Sequence, residues 1–314
     1  MPNSQLDEIR MVDPVLTTIS QGYQNDTFVT EKLFPTVEVS KLKGKIPSFG
    51  KEAFVVRDLD RADGAASNRI SQNDITMLEF TTTERDVEIA IDYLAQEEAE
   101  DYGRYETNIT KQLSDSLQLQ KEKAAADFVQ DPVNYDPSLT RPILLAEAFD
   151  DYTSPTDPID VIKDAMSSVR AKIAHMPNTM VMGEQTYRAL SSHPLILDRI
   201  KHSGLGKVTV EILQDLLDIK NIYVGMAVYT VDGTTFSDVW ADNIILAYVD
   251  KSTKDKRSEF NPSFGYTFQR EGRPEIDSYY ENGGKVKVIR ATDNYVVQVT
   301  GKDAAFLITN TNQY

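Results

Sequence analysis

Residues 97–129, EEAEDYGRYETNITKQLSDSLQLQKEKAAADFV, carry the strongest helical pattern of the chain. Apolar side chains recur there at spacings of three and four, as on the buried face of a helix. The positions of this apolar stripe are Tyr102, Tyr105, Ile109, Leu113, Leu117, Ala124 and Phe128. Asp131-Pro132 ends the pattern, because proline disfavours helical backbone in the residue before it. Gln120 and Lys121 interrupt the stripe and disfavour a coiled coil. We predict a rod of ~45 Å, at about 1.5 Å per residue, that packs along one face.

Two segments before this helix, residues 45–57 and 75–91, have the composition of β-strands. In the second, Val87, Ile89 and Ile91 occupy every other position, which is the two-residue period of a half-buried strand. A polar stretch at 58–74 separates the two segments and cannot build a core of its own. The pattern predicts a long projecting hairpin whose strand edges need a partner to cover them.

The first 35 residues lack a sustained period, and Pro14, Gly22 and Pro35 interrupt them. Their apolar residues are too numerous for a disordered tail. We predict an arm that becomes ordered against another surface, either on a neighbouring subunit or on the domain of its own chain. Composition favours neither arrangement.

Beyond the long helix, a Pro/Asp-rich connection at 131–158 precedes an alternation of helices and strands, which indicates a mixed α/β unit. Asp157 is the expected N-cap of a helix that begins at Pro158. Gly283-Gly284 supplies a turn. Further helices are expected at 184–190, 194–201 and 208–217, and strands at 179–182, 219–231, 244–249, 264–269 and 286–299.

Acidic residues dominate the charge of the 314-residue chain: 33 Lys+Arg against 49 Asp+Glu give a formal net charge of −16. Such a surface repels nucleic-acid phosphates, although a shell can enclose DNA without affinity for it. Cysteine is absent, which excludes disulfides, thiolate metal sites and a thiol nucleophile. The first residues do not resemble a signal peptide, and no window approaches the ~18–20 apolar residues of a membrane span, so we expect a soluble protein.

Side chains that carry enzyme or metal chemistry are scarce or poorly placed. The histidines are His175, His193 and His202, and none has an i, i+4 partner. Phosphate-binding glycine motifs and the GxSxG nucleophile motif are absent. Acidic clusters at 97–101 and 150–151 could supply acid–base carboxylates, but a solvated surface is their more ordinary meaning. We predict no catalytic residue, no cofactor and no metal, and a packing role for Trp240.

A series of short motifs follows in order between residues 157 and 268. They are DPID at 157–160, PNTMVMG at 177–183, YRAL at 187–190, HP at 193–194, VTVE at 208–211 with Leu213, IYVG at 222–225, VW at 239–240, ILAYV at 245–249 and PSFGYTF at 262–268. In this order and spacing the series resembles the major capsid proteins of tailed bacteriophages, which have the Hong Kong 97-type capsid fold.

The resemblance implies an α+β phage capsid fold with an N-terminal arm, an extended β-hairpin loop, a peripheral domain with a long spine helix and long strands, and a mixed α/β axial domain. The implied boundaries are 1–35 for the arm, 36–91 for the loop, 92–154 with 261–314 for the peripheral domain, and 155–260 for the axial domain. Some family members join subunits through a lysine of the loop. Because no lysine lies between Lys51 and Lys111, we expect a non-covalent lattice.

The resemblance also implies a structural, non-enzymatic function. Copies of the chain would form hexamers and pentamers and then the icosahedral head of a virion, assembled in the host cytoplasm. The head would enclose double-stranded DNA without sequence-specific binding and without a membrane. Separate scaffolding, portal and decoration proteins are further expected partners. An encapsulin-like compartment is the alternative with the same fold, and a carboxylate-dependent hydrolase is the alternative of another class.

The predicted assembly interface lies in and beside the loop tip and comprises Phe49, Phe54, Arg57, Arg61 and Arg69. The arginines would meet acidic residues of an adjacent subunit, where paired charges set the register of the contact. Alternatively, they are solvated and keep an exposed hairpin soluble.

Overall fold

The computed structural model describes residues 11–23, 25–47, 60–61, 67, 77–98, 102–201, 208–252 and 261–313. Over these residues the chain is an α+β fold with two main sheets. The helices are α1 (Pro14–Gly22), α2 (Thr30–Leu33), α3 (Tyr93–Glu98), α4 (Tyr102–Val129), α5 (Pro158–Ile173), α6 (Glu184–Ser192), α7 (Pro194–Ile200) and α8 (Val210–Leu217). The strands are β1 (Met11–Val12), β2 (Thr36–Val39), β3 (Lys43–Pro47), β4 (Met77–Thr81), β5 (Thr83–Asp92), β6 (Thr140–Pro142), β7 (Thr179–Gly183), β8 (Asn221–Gly225), β9 (Val228–Thr230), β10 (Phe236–Asp238), β11 (Ile244–Ala247), β12 (Gly265–Arg270), β13 (Glu275–Glu281), β14 (Val286–Val299) and β15 (Ala305–Thr309).

The predicted long helix is α4, which has 28 residues. The prediction placed its start near residue 97, but Glu97 belongs to the separate helix α3, which ends at Glu98. Ile109, Leu113 and Leu117 are buried, as the apolar stripe predicts, and they pack against α1 and the first sheet.

The stripe was predicted on wrong positions at Tyr105, which is 38% exposed, and in its second half. Phe128 is 38% exposed and Ala124 is exposed. The buried residues are Ala125, Ala126 and Val129. A straight helix repeats every 3.6 residues, so the buried face drifts away from a stripe that is extrapolated in steps of four.

Strand β14 organises the first sheet. β12 and β13 lie end to end along one side of it, paired with residues 295–299 and 286–292, and β5 runs antiparallel along its other side. Ile91 of β5 is buried, and Val87 and Ile89 pack beside it against the face that carries α4, which confirms the predicted period of two. β1 and β2 complete the sheet beside β13 and β12.

The base of the predicted hairpin is the antiparallel pair β3–β4. Its inward side chains, Ile46 and Phe80, are buried, and the Phe80 ring stacks on Phe268 of β12 with centroids 4.6 Å apart. The second predicted strand is divided at Thr82, whose N–H bonds to the carbonyl of Leu42, into β4 and β5. The hairpin therefore leaves the first sheet from a fixed apolar base.

The second sheet has the order β6-β15-β11-β7-β8. Its centre is buried on both faces: Met180 and Leu246 face one apolar cluster that includes α5, and Val181 and Ile245 face another that includes α4. Asp157 caps α5 as predicted, with its side chain accepting the N–H of Ile159 at 2.9 Å.

Strand β15 lies inside this second sheet, between β6 and β11. Its pairing crosses the predicted boundary at residue 260, because residues 305–309 share a sheet with the segment predicted as axial. The division into peripheral and axial domains stays a prediction. The strands without an individual prediction are β1, β2, β6, β10, β13 and β15, and the strand expected at 219–231 is divided into β8 and β9.

The described part of the N-terminal arm lies on its own chain. β1 pairs with β13, and Leu16 of α1 packs against α4. Leu33 and Phe34 are fully buried in the cluster that joins α4 to the second sheet. For residues 11–35 the structure thus shows the second of the two predicted arrangements.

One buried carboxylate joins these parts. Glu122 of α4 is 1% exposed, and its Oε1 accepts the N–H of Val29 at 2.8 Å and the indole N–H of Trp240 at 2.7 Å. Its Oε2 accepts the N–H of Thr30 at 2.9 Å. Trp240 is 1% exposed and lies against Gly225, where an added Cβ would come within 2.2 Å of the indole Cδ1. The predicted packing role of Trp240 is confirmed.

Replacing Glu122 should cost more stability than replacing any exposed acid of the same helix. Glu122→Ala leaves three buried N–H donors without an acceptor, and we expect a loss of about 3–5 kcal/mol in the free energy of unfolding. Asp127→Ala is the matched control, because it removes only an exposed ion pair with Lys123 and should cost about 0.5 kcal/mol. Urea unfolding of both variants measures the difference, and equal losses would contradict the role of Glu122.

His193 makes stability depend on pH. Its Nδ1 accepts the N–H of Leu195 at 3.3 Å and caps α7, and burial lowers its pKa below the ordinary value although Asp157 opposes this. A group with a lowered folded-state pKa stabilises above its unfolded pKa of about 6.5 and loses this contribution as the pH falls. His193→Asn retains a capping side chain without titrating. Its melting temperature should fall less than that of the wild type between pH 7 and pH 5, and parallel pH curves would refute the assignment.

Candidate assembly surfaces

The residues predicted for assembly lie mostly outside the described residues. The residues outside the described ranges are Phe49, Phe54, Arg57 and Arg69. Arg61 is described, and it is exposed. Of the hairpin itself, the structure describes the base formed by β3 and β4. There Lys45 of β3 forms an ion pair with Glu79 of β4 at 2.8 Å.

An acidic surface lies beside this base, on the side of β5 that faces away from α4. Glu84, Asp86 and Glu88 alternate along the strand and are all exposed, and together they form what we call the acidic face. Two of them are held in place, since Glu84 accepts a hydrogen bond from Asn294 Nδ2 at 3.2 Å and Glu88 accepts one from the Tyr279 hydroxyl at 3.0 Å. Sequence reasoning considered other acidic clusters and missed this one, although the alternation of these acids with Val87 and Ile89 was visible.

An ion pair fixes the register next to the acidic face. Arg290 of β14 lies opposite Asp277 of β13 and donates two hydrogen bonds to its carboxylate, at 3.0 and 2.7 Å. The Asp277 carboxylate raises the pKa of Arg290, and Asp277 is itself fully buried. A bidentate pair of this kind is directional as well as charged, so it resists slippage of the two strands.

The hairpin β9–β10 presents a second candidate surface, which is apolar. Val228, Val231 and Phe236 are 45%, 90% and 70% exposed. Asp232 holds the turn between the strands by accepting the N–H groups of Thr234 and Thr235 at 2.9 and 2.8 Å. A hydrogen bond from the Thr234 side chain, together with these backbone hydrogen bonds, lowers the pKa of Asp232. The turn is therefore preorganised with apolar side chains facing solvent.

Side chains considered for catalysis have structural contacts instead. His175 stacks on Tyr248 with ring centroids 5.0 Å apart, and His202 lies outside the described residues. Asp150 accepts the N–H of Gln313, and Asp151 accepts that of Thr153. Within the described ranges, no group of three or more His, Cys, Asp or Glu residues is arranged to hold a metal ion. Nor does that part of the chain contain a helix long and apolar enough to cross a membrane.

Comparison with known proteins gives a consistent result. No protein-family model matches the chain. The major capsid protein of Burkholderia phage BcepMu is 38% identical over 309 residues, which cover 98% of this chain and 99% of the relative. The crystal structure of a phage-related protein from Bordetella bronchiseptica is 27% identical, with a TM-score of 0.82 over 97% of this chain and 99% of that one. The capsid of cyanophage P-SCSP1u shares the fold, with a TM-score of 0.55 at 12% identity over 93% of this chain and 90% of that one.

The identity to a phage capsid protein runs through the arm, the hairpin and both sheets, since it extends over almost the entire chain. It favours the phage capsid over the encapsulin-like compartment and over the carboxylate-dependent hydrolase. The α+β architecture agrees with the Hong Kong 97-type fold that the motif series implied. The chain therefore belongs to the family of tailed-bacteriophage major capsid proteins, and its role is that of a structural component of the virion capsid.

Proposed function

We propose that the chain assembles with copies of itself into hexamers and pentamers, and that these build a closed icosahedral head around double-stranded DNA in the host cytoplasm. The observation that carries the proposal is the 38% identity to a phage major capsid protein over 98% of the chain. The role is mechanical and needs no catalytic residue. Ring-forming contacts that close, followed by contacts between rings, are the way in which a single chain builds such a shell.

The extended hairpin supplies the contact between copies. Phe49, Phe54, Arg57, Arg61 and Arg69 contact an adjacent copy, with the arginines opposite its acidic face. The charges are complementary, because three arginines of the loop tip would meet the three exposed carboxylates of β5. A stable contact buries on the order of 1,200 Å² or more, which a projecting hairpin provides by lying across its neighbour. Paired charges at its rim then select the register.

DNA is contained rather than bound. The formal net charge of −16 opposes binding to phosphates, which depends on basic surfaces that release counterions. Scaffolding, portal and decoration functions belong to separate proteins that act on the finished or growing shell.

Electron microscopy of the purified full chain, expressed with and without the other head proteins, tests the proposal. We expect closed shells built of rings, and boiling in detergent should return them to monomers because the lattice is non-covalent. A chain that remains a single folded particle at high concentration under every condition would overturn the proposal. Shells that stay crosslinked after boiling would overturn the non-covalent lattice alone.

Arg61→Glu should weaken assembly without unfolding the subunit. Reversing an exposed charge costs about 1 kcal/mol per contact, so we expect the threshold concentration for shell formation to rise about fivefold. Lys163→Glu is the control, since it reverses an exposed charge on α5, away from the hairpin. Light scattering against concentration measures the threshold.

The acidic face is identified by a charge swap. Combining Arg61→Glu with Asp86→Arg should restore most of the lost assembly, whereas combining Lys163→Glu with Asp86→Arg should not. If the swap recovers nothing while each single variant remains folded, the arginines do not meet this face.

A further inference from the structure

A polar cavity of about 510 Å³ lies where the N-terminal arm crosses α4 and the first sheet. Its walls come from the end of α1, from α2 and β2, from the middle of α4, and from the turn that separates β12 from β13. Its charged lining residues are Lys32, Lys121 and Arg273 on one side of the balance and Glu31, Glu38 and Asp293 on the other. Lys121, Arg273 and Asp293 are the buried members of this set.

Arg273 is a buried cation with an unused donor. Its side chain is 10% exposed, and its Nη1 is buried and makes no hydrogen bond with any described residue. The nearest carboxylate oxygen, Glu275 Oε1, is 3.5 Å away and forms an ion pair without hydrogen-bond geometry. Buried polar groups are nearly always hydrogen-bonded, because losing water without gaining a partner is costly. Arg273 therefore brings to the cavity wall a buried guanidinium whose Nη1 has only the ion pair with Glu275.

Lys121 is a second buried cation on the same cavity. Its side chain is 10% exposed, and its Nζ lies 3.4 Å from Glu31 Oε1, a long contact to a side chain that is itself 53% exposed. Its Nζ also lies 5.6 Å from the centre of the Tyr295 ring. An ammonium group has three donors, so the single hydrogen bond to Glu31 leaves two of them for other acceptors.

The acids of the cavity wall differ in burial, and Asp293 is the most deeply buried of them. Asp293 is 6% exposed, and both its oxygens accept from Gln269 Nε2 at 2.9 Å. Burial raises the pKa of Asp293 even though Lys121 and Arg273 act in the opposite direction. Glu38 also lines the cavity. The wall thus presents two strong donors whose acceptors are distant or already engaged.

We propose that this cavity binds an oxyanion, a carboxylate or a phosphate group, through Lys121 and Arg273, and that the bound group fastens the arm to α4 and the first sheet. The planar guanidinium suits the two oxygens of such a group, and the ammonium adds charge without fixed geometry. The group is either a free ion or the carboxylate side chain of another copy in the shell. The inference goes beyond assembly, because it concerns what fastens the arm to the rest of its own subunit.

Thermal unfolding of the purified full chain before assembly tests the proposal. Inorganic phosphate and acetate are titrated separately against chloride at equal ionic strength and pH. A ligand that binds only the folded state raises the melting temperature in a saturable way. We expect such a rise in the wild type, and a half-saturating concentration at least tenfold higher in Arg273→Gln and in Lys121→Gln. Arg199→Gln is the control, because Arg199 pairs with Asp157 and Asp160 away from the cavity.

Phosphate also stabilises proteins without binding, by exclusion from their surface. A rise that is linear in concentration and equal in all variants would overturn the proposal. If either cavity variant fails to fold, the wild-type titration still decides, since lack of saturation with both anions refutes the site.

A cryo-electron microscopy map of the assembled shell distinguishes the two sources. Density between Lys121 and Arg273 that is continuous with an acidic side chain of another copy supports the carboxylate, and isolated density of tetrahedral or planar shape supports a free ion. Separate water peaks, together with no saturable rise in melting temperature, would overturn the proposal.

Discussion

The carboxylate of Glu122 is buried where three distant segments of the chain meet, and it accepts one hydrogen bond from each of Val29, Thr30 and Trp240. A buried carboxylate is tolerated only when donors replace its water, so all three segments must be in place together. The arm, the long helix and the second sheet are therefore positioned by mutual constraint.

The first sheet holds the base of the hairpin. β14 pairs antiparallel with β12 and β13 on one side and with β5 on the other. The strands on both sides of β14 therefore run in the same direction. Phe80 stacks on Phe268 of β12 and anchors the hairpin base to that sheet. The hairpin base and the acidic face therefore lie on strands whose backbones are held by the pairs β3–β4 and β5–β14, so little backbone entropy remains to be lost there on binding.

Strongly periodic or locally capped elements were predictable from sequence. The strand expected at 286–299 coincides with β14, and the Asp157 cap of α5 depends on neighbouring residues only. Sheet membership was not predictable, because β15 finds its partners at 140–142 and 244–247 through tertiary folding. The acidic face could have been predicted from the alternation of acidic and apolar residues along β5. The cavity could not have been predicted, since folding alone brings Lys121 of α4 to Arg273.

The position of β15 determines when the second sheet of a newly made chain can be completed. Residues 305–309 occupy the middle of the second sheet, between β6 and β11 rather than at an edge. A nascent chain that has not yet reached this strand has a gap in that sheet and an uncovered apolar interior. A chain that stops before residue 305 therefore leaves the facing edges of β6 and β11 unpaired, and the second sheet closes only after the last strand has been made.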